Sequence, residues 1–314
     1  MAAGSRWLLW SYGLVALLAL ILFGRVSLMA NLFLGTWLPL PLLLVGWRLG
    51  ILEAALLALT GALFVLALNP GVAVFQDNLG LWMIMLMGLI LTVCHHRDWP
   101  DGTAIMFTVV FLGFLSLVFF LGQAYFQGLG PVGLWEKKSQ ELADSLTKMM
   151  GEAGVGLSDF RLMGLPRVEI QNLLIQVLPA LVLINLALVA WVNVLAAQRL
   201  GNLWGWNNLG EPLSLWASPE WLVFFLVAAG FALLAPFPGV RQAGLNLVLV
   251  LGFVYFCQGM AVISALLQRF QLPWVLRSLL YILAFMNPLM IVVMILGLTD
   301  LWLDFRRLQP PQET

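Results

Sequence analysis

The sequence predicts an all-α fold, a polytopic transmembrane helix bundle of eight to nine spans, and three observations carry that reading. Of 314 residues, 62% are hydrophobic and only 10% are charged, with a mean hydropathy of +0.99; ordinary soluble domains hold roughly 25% charged residues. Apolar runs recur from Trp7 to Trp302, several of them near the about 20 residues a helix needs to cross a hydrocarbon core of about 30 Å. Turn chemistry separates the runs, at Asn69-Pro70-Gly71, Trp99-Pro100-Asp101-Gly102, Gly128 to Pro131, Ser218-Pro219 and Pro236 to Gly239.

Taken in order, spans are expected at 7–24, 29–47, 51–68, 79–95, 103–122, 170–198, 219–235, 243–267 and 274–302. The first follows Arg6 as a signal peptide would, but Gly24-Arg25-Val26 offers no small-x-small cleavage site, so it reads as a retained span. The second and third are joined so tightly at Arg48 that they form a hairpin or one interrupted element. Pro179 and Pro288 fall inside the sixth and ninth spans and predict kinks or local unwinding there. Between the fifth and sixth lies the one long hydrophilic stretch. Within it Trp135, Leu142, Leu146 and Met149 share a helical face, and Lys137–Glu141 and Asp144–Lys148 are opposite charges at i,i+4. This predicts an interfacial amphipathic helix, either a connector or a lid or partner-docking element. The organisation is then a five-span N-terminal half (1–122), a central extramembrane loop (123–169), a four-span C-terminal half (170–305) and a short polar tail (306–314).

Fifteen basic residues balance fifteen acidic ones, so nothing points to nucleic acid or to a polybasic lipid-binding patch. Short-loop arginines at positions 6, 48, 97, 199, 269 and 277 favour an N-inside orientation, against which the Arg306-Arg307 pair argues. Cys94 and Cys257 sit at or within apolar segments and read as packing residues. Many of the fourteen Trp, including Trp7, Trp37, Trp47, Trp99, Trp204, Trp206, Trp221 and Trp302, fall near span ends and read as an aromatic belt.

Signatures of soluble enzymes are absent: there is no phosphate-cradling glycine loop, no HExxH and no GxSxG. His95 and His96 are adjacent, so on a helix they point about 100° apart and make a poor pair of metal ligands; they read as an interfacial cap with Arg97 and Asp98. No metal and no cofactor is expected. Intramembrane polar groups are more telling, because each needs a partner or a watery cavity. Glu53, beside a stripe of Gly50, Ala54, Ala58 and Ala62, reads either as a substrate or proton site or as the ion-pair partner of Arg48 or another span-end arginine. Asn185, Gln258 and Asn287 complete a candidate ligand-binding set with Glu53, the alternative being amides that glue helices together. Asn287-Pro288 is the strongest of these, since a proline frees a carbonyl one turn upstream. Arg277, Asp300, Asp304 and Arg307 form a candidate interfacial charge network in which Asp300 and Asp304 are one turn apart and Asp304 reaches Arg307 at i+3.

Gln258-Gly259-Met260-Ala261-Val262-Ile263, Leu272-Pro273 with Arg277, and Leu296-Gly297-Leu298-Thr299-Asp300 with Asp304-Phe305-Arg306 resemble the YybS-like family of bacterial membrane proteins. That resemblance implies a multi-pass protein of the bacterial inner (cytoplasmic) membrane and carries over no catalytic residues. A weaker likeness is N-terminal: Pro39-Leu40-Pro41 leading to Gly46-Trp47-Arg48-Leu49-Gly50 is similar to the opening of the S components of energy-coupling-factor transporters, six-helix bundles that hold a small metabolite. The expectation is a non-enzymatic protein of the lipid bilayer that binds or helps move a small molecule. The rival is a scaffold or assembly factor for an envelope or morphogenesis complex, with a membrane-protein partner.

Overall fold

The computed structural model describes residues 3–68, 78–152, 167–206, 210, 213–286 and 288–306. Twelve α-helices are described: α1 (Ala3–Gly24), α2 (Leu28–Gly35), α3 (Pro39–Leu49), α4 (Ile51–Leu68), α5 (Leu79–His96), α6 (Asp101–Phe126), α7 (Gly130–Glu152), α8 (Arg167–Leu203), α9 (Leu222–Leu233), α10 (Pro238–Arg269), α11 (Trp274–Ala284) and α12 (Leu289–Leu303). No strand occurs among the described residues. The polytopic helical fold expected from composition is therefore present.

Not every apolar run expected as a span is one long helix among the described residues. Among the described residues six helices are long and apolar enough to cross a membrane (α1, α4, α5, α6, α8 and α10), or seven if α11 and α12 together make one broken span. The run at 29–47 is two helices interrupted by a turn at 36–38. Ser27 caps the first by accepting a hydrogen bond from the Ala30 N–H at 3.1 Å, and Pro39 opens the second. The run at 219–235 holds a helix of 12 residues, about 18 Å at 1.5 Å per residue and too short to span. The run at 274–302 is two helices inclined at 97°, with Pro288 immediately before the second, which agrees with the break expected there. Pro179, by contrast, lies inside a continuous 37-residue helix.

The α3–α4 junction is a hairpin because of one residue. Gly50 has φ +130°, a conformation that favours glycine, and it both ends α3 by donating to the Gly46 carbonyl and accepts from the Ala54 N–H as α4 begins.

The chain divides into two compact units: unit 1 is residues 1–175 and 185–210, and unit 2 is residues 176–184 and 211–314. The division does not follow the central loop, because most of α8 joins the first half. Leu186, Val189, Ala190, Val194 and Ala197 on α8 share one core with Leu43, Met87, Leu91 and Leu112. A second core in unit 1 joins Leu17, Ile21, Leu42, Leu57 and Met85. Outside these cores large apolar side chains lie exposed along whole helix faces, Val110, Phe114 and Leu117 on α6 for example; on spanning helices such faces meet lipid.

The central helix α7 folds back on α6, with Trp135 edge-on to Phe120 (centroids 6.1 Å) and Leu134 fully buried. The Lys137–Glu141 expectation is replaced by other pairings, while the Lys148 side chain of the second expected pair is outside those described. Lys138 donates to Glu141 at 2.7 Å, which holds that carboxyl below its ordinary value, while Lys137 donates to Gln127 at 3.3 Å.

Candidate functional site

Unit 2 contains a closed polar network, and two glycines explain where it forms. A Cβ at Gly259 on α10 would overlap the Val293 carbonyl, and one at Gly297 on α12 would overlap the Tyr255 carbonyl. Backbone therefore touches backbone at this crossing, the small-residue packing used between membrane helices. The crossing places Gln258, one residue from Gly259, against Asp300, one turn beyond Gly297. The Gln258 Nε2 donates to Asp300 Oδ2 at 3.3 Å.

The chain then turns back on itself. Asp304 adopts a left-handed conformation (φ 39°, ψ 57°) and its N–H donates to the Asp300 carbonyl at 3.0 Å, ending α12. The helical face that would have aligned Asp300 with Asp304 stops there, and the reversal delivers Arg306 to Asp300. Arg306 Nη2 and Nε lie 2.7 and 3.0 Å from Asp300 Oδ2, both side chains being 2% exposed. The Phe305 N–H donates to Asp300 Oδ1 at 3.1 Å. Arg306 Nη1 reaches on to the Ser214 and Trp216 carbonyls at 3.2 and 2.6 Å, while the Ser218 hydroxyl and N–H donate to Gln258 Oε1. The guanidinium thus ties the segment before α9 to the end of α12.

This network holds Asp300 and Gln258 from the two sets expected in the sequence. Arg277 lies elsewhere, its Nε donating to the Leu272 carbonyl at 2.7 Å, and Arg307 is outside the described residues. Arg306 and the Ser214–Ser218 segment are the members that sequence spacing did not single out as a site. Chemically the network is saturated: the carboxylate accepts from four donors, and the Ser218 hydroxyl donates to an amide, not to a base. Among the described residues no three His, Cys, Asp or Glu side chains cluster as a metal site would need.

The other candidate ligand residues are not gathered around it. Glu53 is in unit 1, paired with Arg6 at 2.9 Å on a surface where the two side chains are 26% and 54% exposed. Its partner is a span-end arginine, 47 residues away, and not Arg48. Glu53→Gln should therefore cost under about 1 kcal/mol of unfolding free energy in detergent; a loss of several kcal/mol would assign Glu53 a buried role. Asn185 is exposed on α8, and Asn287 is outside the described residues.

An amide not in that set does structural work at Pro179. A proline lacks the N–H and crowds the preceding turn, and here Asn246 of α10 enters the gap: its Oδ1 accepts from the Ala180 N–H and its Nδ2 donates to the Gln176 carbonyl, each at 2.8 Å. One side chain so bridges the opened rung and keeps α8 continuous.

Unit 1 contains a groove of about 750 Å³, within the usual range of roughly 300–1,000 Å³ for small-molecule sites. Its walls come from α1 (Leu9, Gly13, Ala16, Leu20, Phe23), α2 (Ala30, Leu34) and α3 (Leu40, Pro41, Leu44), and Trp37 and Trp204 also line it. The lining is almost wholly apolar. From Leu9 to Phe23 it follows α1 for about 21 Å at 1.5 Å per residue.

At one end of this unit Trp47, 9% exposed, stacks on His95 (centroids 4.3 Å, 21°), and His96 Nε2 lies 2.8 Å from the Gly46 carbonyl. Trp47 is thus a packed residue, unlike the exposed Trp7, Trp204, Trp221 and Trp302. On α8, Gln198 donates to Asp101 at 2.7 Å, joining that helix to the start of α6.

Apolar spans, lipid-facing side chains, glycine-mediated crossings and an amide that repairs a proline break together define an integral, polytopic helical membrane protein. The chain belongs to the family described as "Predicted membrane protein (DUF2232)", whose model matches residues 14–301. No curated protein and no solved structure matches it.

Proposed function

We propose that this is a non-enzymatic protein of the bacterial inner membrane that binds, and in that way helps move or present, a hydrophobic small molecule. The observation that carries the reading is the α1–α2–α3 groove: ligand-sized, elongated along the membrane-spanning direction of α1 and nearly without polar atoms. A groove of this composition selects an apolar chain, since burial of each CH₂ is worth about 0.8 kcal/mol and no lining group asks for a hydrogen bond. The likeness of Gly46-Trp47-Arg48-Leu49-Gly50 to metabolite-holding S components agrees with it, and the resemblance of the last 60 residues to the YybS-like family supports the bacterial inner membrane. The saturated Asp300–Arg306 network supports a structural role for the strongest polar cluster, which favours a protein without chemistry of its own.

The test fills the groove. Ala16→Trp and Ala19→Phe, both at its wall, should weaken binding of a fluorescent long-chain fatty acid to the detergent-solubilised protein at least tenfold. Val110→Phe, on the exposed face of α6, should leave it unchanged. Equal binding by all three variants would remove the groove from the function.

One observation favours the scaffold reading: Tyr125 and Phe126, at the end of α6, are 83% and 88% exposed. A membrane protein retained through this pair, with no lipid retained, would move the assignment to an assembly factor.

A further inference from the structure

The groove has a cation beyond one end. Along α3 its wall is built by Leu40, Pro41, Leu44 and Val45, and the next position on that face, one turn beyond Leu44 and Val45, is Arg48. Arg48 is exposed, with its guanidinium over the Trp206 ring at 5.6 Å from the centroid. Trp206 is tilted against Trp204 (centroids 5.3 Å), and Trp204 lines the groove. Apolar wall, indole, indole and guanidinium therefore follow one another.

Of the charges at this end, which include Arg97 and Asp98 after the histidine pair and Arg199 on α8, Arg48 is the one that continues the groove wall and lies over Trp206. Glu53 is taken by Arg6, His95 is stacked on Trp47 and His96 lies against the Gly46 carbonyl. Among the described residues no carboxylate pairs with Arg48. Arg48 continues an apolar groove wall and lies over the Trp206 indole, which is itself against Trp204; indoles favour the headgroup level of a membrane.

The geometry points to an anionic lipid as the occupant, with a single acyl chain in the α1–α3 groove and its head group on Arg48. This rests on the groove reading above and adds the charge of the ligand. The guanidinium fork matches phosphate or carboxylate oxygens, its stem lies along apolar surface while its head stays wet, and one basic side chain near the membrane surface favours an anionic lipid by about fivefold.

The test compares two lipids with one tail. Full-length protein in neutral detergent is titrated with palmitoyl lysophosphatidate and with palmitoyl monoacylglycerol, followed by native mass spectrometry. The wild-type protein should prefer the phosphate-bearing lipid by at least about fivefold; Arg48→Gln should bring the ratio to about one, and Arg48→Lys should restore part of it. Equal affinities in the wild type, or a preference that survives Arg48→Gln, would overturn the head-group site while leaving the groove in place. Failure of both lipids to bind the wild-type protein would overturn the groove reading and this one with it. Because the ratio is read within one preparation, a variant that misfolds loses both lipids and is recognised as such, and the wild-type ratio decides on its own.

Discussion

Arg306→Ala should destabilise the protein by about 3–5 kcal/mol, the range expected when one partner of a buried ion pair is removed. The loss is large because of what remains. Asp300 would stay 2% exposed with only the Phe305 N–H and the Gln258 amide to offset its charge, and the Ser214 and Trp216 carbonyls would lose a shared donor. Unfilled hydrogen-bonding groups away from water are costly one by one. A joint replacement, Asp300→Leu with Arg306→Met, should cost clearly less than Arg306→Ala, because no unpaired charge is left and the two sites are coupled. Denaturant unfolding in detergent, with limited proteolysis near Ser214, measures both. A single-variant loss below about 1 kcal/mol, or a double variant as damaged as the sum of its parts, would show that the pair is not holding this region together.

The second large effect belongs to the α10–α12 crossing. Gly259→Leu or Gly297→Leu should cost more than about 3 kcal/mol, above the usual 1–3 kcal/mol of an overpacked core. The usual relief is for a neighbouring side chain to move, and here the obstacle to a Cβ is backbone: the Val293 carbonyl for Gly259, the Tyr255 carbonyl and Gly259 N for Gly297. Separating the helices would also pull Gln258 from Asp300, so the two predictions are coupled. Gly230, with open space around its Cβ direction, is the control: Gly230→Leu should change stability by less than about 1 kcal/mol. Thermal unfolding of the three variants side by side decides it, and similar midpoints for Gly259→Leu and Gly230→Leu would remove the crossing as a structural determinant.

The helical membrane fold was legible because composition fixes the solvent, and the solvent restricts the backbone. Apolar length does not mark where a helix stops inside an apolar run. The turn at 36–38 and the stop after Ala284 are invisible to hydropathy, since the residues on both sides are apolar. Asp300 stood out as a charge in an apolar helix, but its partner did not. Helical spacing pointed from Asp304 to Arg307, whereas Arg306 reaches Asp300 only because Asp304 turns left-handed. The glycines offered a signal, Gln258-Gly259 and Gly297 three residues before Asp300, that a search for close helix crossings could have joined. Glu53 found a partner 47 residues away, a pairing that no local pattern encodes. The groove was the least legible feature. Leu9, Ala16, Leu40 and Leu44 are the residues any lipid-facing helix would carry, and only packing separates a groove from a flat apolar face.

The occupancy of that groove is best tested by photo-cross-linking. A palmitate analogue with a diazirine at mid-chain, incorporated into native membrane vesicles and activated by light, labels whatever side chains surround its acyl chain. The account predicts labelling concentrated on Ala16 to Phe23 of α1 and on Leu40 to Val45 of α3, and diminished in Ala16→Trp. Labelling spread evenly over lipid-exposed faces such as Val110, Phe114 and Leu117 of α6, with no loss in Ala16→Trp, would mean that the groove holds no chain in preference to bulk lipid, and would contradict the account.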